Sequence, residues 1–255
     1  MKIRLAERVI EVHALFDGLE HLCADYVLPE TDAAPDFSVD IAMADIDFER
    51  MKSEAEDARE GVPVRHYSDA YFETLAVYRK IAEQMPAYDT VLFHGSVVAV
   101  DGVGYLFTAK SGTGKSTHTR LWRERFGSRA VMINDDKPLL RITDRGVLAC
   151  GTPWDGKHRL SSNCSVPLGA LCALERGTEN RIVPVTRQQL YPLLLQQTYR
   201  PADRAAMQKT LLLLDRLAAA TPLFRLQCNM SPEAAAVAYE GMKPNTGNSE
   251  ECLCD

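Results

Sequence analysis

Apolar and polar positions divide the chain into short strands and amphipathic helices. Residues 3–12 alternate, with Ile3, Leu5, Val9 and Val12 as apolar marks, and predict a strand. Residues 18–27 place Leu19, Leu22, Cys23 and Tyr26 at helical spacing. After a loop rich in Pro, Asp and Ala, Phe37 to Ile41 alternates like a half-buried strand. Residues 45–60 are charged and only weakly amphipathic, which reads as a solvated face. Ser68-Asp69 then caps a helix running to about Met85, with Tyr71, Leu75, Tyr78, Ile81 and Ala82 on one face.

A denser pattern follows. Val91 to Val100 is an apolar run interrupted by His94-Gly95-Ser96, and Asp101-Gly102 is a hairpin signal. The strand carrying His94 is therefore expected to pair antiparallel with the strand over 104–108. Thr117 to Phe126 has helical character, and Ala130 to Asn134 is a short buried strand ending in Asp135-Asp136. Leu139 to Ile142 and Val147 to Cys150 flank a second hairpin turn. A polar loop over 151–159 precedes an apolar strand over 166–174. Helices are expected from Thr186 to about Thr198 and over 202–220, then a strand over 223–228 and a last helix opened by Ser231-Pro232-Glu233. This is an α/β pattern without internal repeats. Residues 1–88 read as an α+β N-terminal region packed on a core over 89–242. Residues 243–255 form a polar tail expected to be disordered.

Composition narrows the function classes. The 255 residues are 46% hydrophobic and 25% charged, ordinary values for a globular protein. The net charge of −6 argues against a nucleic-acid partner. No apolar run approaches the roughly 20 residues that span a bilayer, and Met1 to Glu7 carries charges where a secretion signal would be apolar. The expectation is a cytoplasmic protein without a membrane partner. The seven cysteines, an odd number lying mostly in apolar runs, suit free thiols in a reducing compartment.

The chemistry gathers around Ala109-Lys110-Ser111-Gly112-Thr113-Gly114-Lys115-Ser116. An apolar strand precedes it and a helix follows, the context of a phosphate-binding loop. Gly112 and Gly114 let successive N–H groups turn toward phosphate oxygens, Lys115 brings a positive charge, and the Ser116 hydroxyl is a magnesium ligand. Ala109 stands where the usual pattern has glycine. Downstream, one carboxylate of Asp135-Asp136 can hold the metal and the other can take a proton from an attacking hydroxyl. His94 sits on a strand expected to neighbour the loop. In the polar segment, Lys157, His158 and Arg159 can supply positive charge to phosphates or to an acidic acceptor. Arg200 is a further candidate of the same kind, whereas His118 reads as a structural or adenine-side residue.

His94-Gly95, the Asp101-Gly102 hairpin, Ser111 to Ser116 and Asp135-Asp136 occur in the order and approximate spacing of the HPr kinase/phosphorylase catalytic domain. The chain resembles that family over residues 91–176. The resemblance implies a mixed-sheet P-loop kinase core of the type shared with phosphoenolpyruvate carboxykinases. It places His94 beside the phosphates and gives the Asp pair to magnesium and the acceptor hydroxyl. The N-terminal region is unlike the separate domain of HPr kinases, and no HPr-binding segment is visible. The chain therefore looks more like the small kinases related to HPr kinase, some of which act on peptides or small molecules.

The expected activity is magnesium-dependent transfer of the ATP γ-phosphate to a hydroxyl on a peptide, protein or small molecule. Ser111, Gly112, Thr113, Gly114, Lys115, Ser116 and Thr117 would bind the nucleotide, and Ser116 with Asp136 the metal. Asp135 would be the base, with His94, Lys115, Lys157 and Arg159 stabilising charge. The resemblance also makes a homo-oligomer an expectation. A nucleotide-sensing binding protein and a simple NTP hydrolase share the loop, although a pure binder does not need the Asp pair.

Overall fold

The computed structural model describes residues 1–29, 33–110, 112–156 and 158–243. Ser111, Lys157 and the tail from 244, with Cys252 and Cys254, lie outside the described residues.

The chain opens with a hairpin in place of the single expected strand. Strands β1 (Lys2–Leu5) and β2 (Arg8–His13) pair antiparallel. Ala6 and Glu7 turn between them with φ of 46° and 66°, the left-handed pair that matches the twist of a two-residue hairpin. The alternation over 3–12 hid this turn because Ala6-Glu7 lacks the usual Gly or Asn. Strand β3 (Phe37–Asp40) adds parallel to β2. Helices α1 (Gly18–Leu22), α2 (Met43–Glu60) and α3 (Asp69–Gln84) complete this region. The charged stretch over 45–60 is thus a full helix, and its charges are not all solvated. Arg79 of α3 donates to Glu49 at 2.6 Å and to Asp45 at 3.1 Å, and Glu49 is buried.

The remaining strands are β4 (Thr90–Leu92), β5 (Ser96–Val100), β6 (Val103–Thr108), β7 (Ala130–Asn134), β8 (Leu139–Thr143), β9 (Gly146–Cys150), β10 (Ser165–Arg176), β11 (Arg181–Pro184) and β12 (Leu223–Cys228). Among the described residues they form one mixed sheet in the order β4-β8-β9-β10-β6-β5-β7, with β12 joining β10 and β11 joining β12. The long β10 makes this possible. Its first residues pair antiparallel with β9, and its remainder runs parallel to both β6 and β12. β11 was not foreseen, since its four residues lie among turn formers and gain their order from β12.

The hairpin at Asp101-Gly102 forms as expected, pairing β5 antiparallel to β6. His94, however, lies on neither β4 nor β5. The apolar run over 91–100 is two strands, and His94-Gly95 is the crossing from one part of the sheet to the other. Gly95 permits the crossing, because a Cβ there would lie 3.0 Å from the Phe107 carbonyl.

Helices α4 (Lys115–Phe126) and α7 (Glu233–Met242) cover one face of the sheet, where Trp122 packs among Tyr105, Phe107 and Tyr239. Helices α5 (Arg187–Gln197) and α6 (Arg204–Ala220) cover the other with Leu190, Leu194, Leu213 and Leu217. The N-terminal region shares a buried cluster with Leu92, Leu139, Cys150 and Trp154 of the core. Among the described residues no helix is long and apolar enough to cross a membrane.

The polar segment after β9 is fixed to the sheet at Gly151, whose N–H bonds to Cys164, while the Ser162 N–H bonds to Ile133 of β7. A Cβ on Gly151 would stand 1.9 Å from the Ser162 carbonyl oxygen. Gly151→Ala is therefore expected to lower stability by about 1–3 kcal/mol through overpacking. A urea titration checks this, with the midpoint falling and the slope unchanged.

Candidate active site

The phosphate loop follows β6 and leads into α4. Its left-handed backbone falls at Gly112 (φ 74°) and Gly114 (φ 120°). Ala109 has no such φ and is buried beside Phe107 and Trp122, so the first loop position accommodates its Cβ. Gly114 is the N-cap of α4 and offers the first-turn amides no side-chain acceptor. Those N–H groups, with the positive end of the helix dipole, form an anion site. Lys115 bends back toward the Ala109 carbonyl at 3.4 Å. Burial pulls its pKa below the ordinary lysine value, opposed by the charges of Asp136 and Asp135.

One residue of this loop's support was not visible in the sequence. Arg176, at the end of β10, donates to the carbonyls of Gly112 and Thr113. A peptide group carries its N–H opposite its C=O, so a cation on the carbonyl side favours amides pointing the other way. The clue was a basic residue ending a strand parallel to β6, which the sequence alone could not pair with β6.

The Asp pair occupies a turn built by Asn134, the fully buried last residue of β7. The Asn134 Oδ1 accepts from the N–H groups of Asp136 at 2.8 Å and Lys137 at 2.6 Å. Its Nδ2 donates to the carbonyl and hydroxyl oxygens of Thr152, both at 3.0 Å. Asp135 is buried, and the Ser96 hydroxyl lies 2.8 Å from both its carbonyl oxygen and its Oδ1. Asp136 is more open. Its Oδ1 is 3.2 Å from His94 Nε2, and its Oδ2 is 3.4 Å from Lys137 Nζ. Burial alone would raise the Asp136 pKa, but the His94 hydrogen bond and the Lys137 charge outweigh it and hold the carboxyl below its ordinary value.

These groups share a cleft of about 1040 Å³. Its floor holds Gly112, Gly114 to Thr117, His94 and Asp135 to Lys137. One flank is the polar loop, including Trp154, Asp155, Gly156, His158 and Arg159. Gly156 passes so close to the base of the cleft that a Cβ there would be 3.1 Å from Asp135 Oδ2. The other flank is the N-terminal region, through α1 and α3. Arg200 is exposed and is not among the cleft-lining residues. His118 faces inward, accepting from Trp122 Nε1 at 3.0 Å, and burial lowers its pKa to about 4, so it serves packing. Ser111 and Lys157, expected at the site, lie outside the described residues.

Among the described residues no group of three or more His, Cys, Asp or Glu side chains converges to hold a metal. Two carboxylates and the Ser116 hydroxyl beside a phosphate loop suit magnesium, which keeps waters and takes phosphate oxygens as ligands.

No protein-family model matches the chain, and no curated protein sequence matches it. Among solved structures it is similar to the HPr(Ser) kinase/phosphatase from Coxiella burnetii, at 11% identity and a TM-score of 0.36, over 59% of this chain and 95% of that one. A likeness that loose carries no argument, and the chemistry of the cleft is read from its own side chains.

Arg176→Met is expected to speed amide hydrogen exchange in the Gly112–Gly114 turn about tenfold without unfolding the protein, as measured by exchange mass spectrometry alongside a melting curve. The order of one charge-assisted hydrogen bond sets that magnitude. The His94–Asp136 pair also has a pH signature. The Asp136 pKa is depressed in the folded state, so its contribution to stability is present above the ordinary carboxylate range and is lost as pH falls through the folded value. In His94→Ala the burial cost is opposed by less, and the Asp136 titration moves up. Carbon NMR of the carboxyl groups reads this directly.

Proposed function

We propose that the protein is a magnesium-dependent ATP phosphotransferase acting on a hydroxyl acceptor. The observation that carries this reading is one cleft holding an uncapped phosphate loop, a lysine and a supported pair of carboxylates. The antiparallel β5 beside β6 separates this core from a parallel-sheet NTPase. That arrangement supports assigning it to the HPr kinase/phosphoenolpyruvate carboxykinase type.

In this reading Lys115 and the amides of 111–117 hold the β- and γ-phosphates. Ser116 and Asp136 hold magnesium, which when bound neutralises charge on the phosphate oxygens. Asp135 accepts the proton of the acceptor hydroxyl as its oxygen bonds to the γ-phosphorus and the bond to ADP breaks. The Ser96 hydroxyl orients that carboxylate. His94 holds Asp136 through its Nε2, 3.2 Å from Oδ1. Arg159 lines the cleft and would stabilise charge developing on the transferring group, a role expected also of Lys157 from the sequence.

The test is transfer of label from γ-labelled ATP to a cell extract divided into small molecules and proteins. Lys115→Ala should abolish transfer. Asp135→Asn should lower kcat by about 10²–10⁴ while ATP still binds. Full transfer by Lys115→Ala would falsify the reading. Phosphate release that ignores every added acceptor would make the protein a hydrolase.

A further inference from the structure

The two sides of the cleft differ in chemistry. The floor is charged, whereas the wall supplied by α1 and α3, with Trp154 beside them, presents Leu22, Tyr71, Leu75 and Tyr78 along with the polar His21, Ser68 and Thr74. Several polar atoms of that wall are engaged within the protein. The Ser68 hydroxyl accepts from the Tyr71 N–H at 3.2 Å, and the Thr74 hydroxyl donates to the Tyr71 carbonyl at 2.7 Å. The indole N–H of Trp154 donates to the Thr74 carbonyl at 3.0 Å. Among the described lining residues of α1 and α3 there is no Lys, Arg, Asp or Glu. Such a wall presents few groups to the hydroxyls of a sugar, and the guanidinium among the described lining residues, Arg159 on the polar loop, is the one assigned above to the transferring phosphate.

The wall is also firm. The Tyr78 and Trp154 rings lie 5.6 Å apart. The segment before α1 is tied to α3 by the buried Glu73 carboxylate, which accepts from the N–H groups of Leu15 and Phe16. Burial, with the Asp136 charge adding to it, keeps the Tyr78 hydroxyl protonated, so that residue adds no charge to the wall. At about 1040 Å³ the cleft reaches the upper end of ordinary ligand pockets, roughly 300–1,000 Å³. It has room for an acceptor beside a nucleotide.

We propose that this wall selects an acceptor whose hydroxyl is carried on an uncharged apolar or aromatic body, in preference to a sugar, a polyol or an anionic metabolite. The inference rests on the phosphotransfer reading. The nucleotide's phosphates occupy the charged floor, and the body of the acceptor lies along the aromatic and aliphatic side. Its hydroxyl then reaches the Asp pair past Tyr78.

The experiment compares three sets of acceptors under γ-labelled ATP. The first holds 3-phenylpropanol and the capped peptide acetyl-Phe-Ser-Leu-amide, which separate a free alcohol from a side-chain hydroxyl. The second holds glycerol and glucose, and the third 3-phosphoglycerate. At least one member of the first set should exceed the other sets about tenfold in kcat/KM, the scale of one or two pocket contacts. Tyr71→Ser, at a residue 43% exposed, and Leu75→Asn should each raise KM for that acceptor with the ATP dissociation constant unmoved. Equal or better use of glycerol, glucose or 3-phosphoglycerate overturns the inference. So does ATP binding with no transfer to the first set. Absence of ATP binding instead overturns the phosphotransfer reading itself.

Discussion

The amide of Asn134 is the interaction on which the cleft depends. It is fully buried at the end of β7, and both of its ends are in use. The oxygen shapes the turn that displays Asp135 and Asp136, and the nitrogen holds Thr152 at the root of the polar loop. The Thr152 hydroxyl closes the circuit by donating to the Lys137 carbonyl at 2.8 Å. An unpaired group here would incur about 1–3 kcal/mol of desolvation, so the Asp turn and the polar loop are ordered together. Sheet topology brings the phosphate loop to the same place. β6 and β7 run in the same direction with β5 antiparallel between them, so both strands end at one edge. The intervening strand begins at that edge and contributes Ser96 to Asp135.

Charge is balanced locally. Burial works against the charge of Lys115, and the Asp136 and Asp135 charges oppose it; burial works against the charge of Asp136, and the His94 hydrogen bond and the Lys137 charge oppose it. This balance explains why Asp136 keeps a low pKa in a position where burial works against ionisation. Asp155, on the flank of the cleft, lacks an equal set of partners. Burial raises its pKa, and the nearby Asp135 charge adds to the rise. The carboxylates are thus distinguished by their surroundings.

The local features of the core were legible because their signals are short-range. The Asp101-Gly102 hairpin, the strand ending at Asn134 and the capped start of α3 at Ser68 each follow from a few adjacent residues. Features that depend on distant partners were not legible. The split of the run over 91–100 depends on β8, which gives β4 a partner away from β5. The helix over 43–60 is stabilised by Arg79, thirty residues from Glu49 in sequence. Arg176 and Ser96 acquire their roles only through the pairing of β10 with β6 and of β5 with β7. Ala109 shows the opposite case. It departs from the glycine pattern without strain, since among the described loop residues positive φ falls at Gly112 and Gly114.

The supports of the site come from different layers, and that division bears on what can vary. Arg176, Ser96 and Asn134 lie on β10, β5 and β7, so the phosphate loop and the Asp pair are positioned by the sheet. Hydrogen bonds between adjacent strands fix their register, and a change in one would displace the whole floor. The facing wall belongs to α1 and α3, which meet the core through side-chain packing and the Trp154–Thr74 contact. Tyr71 and Leu75 lie on α3 and take part in no strand pairing. The helix surface of the cleft can therefore change while the charged floor stays as it is.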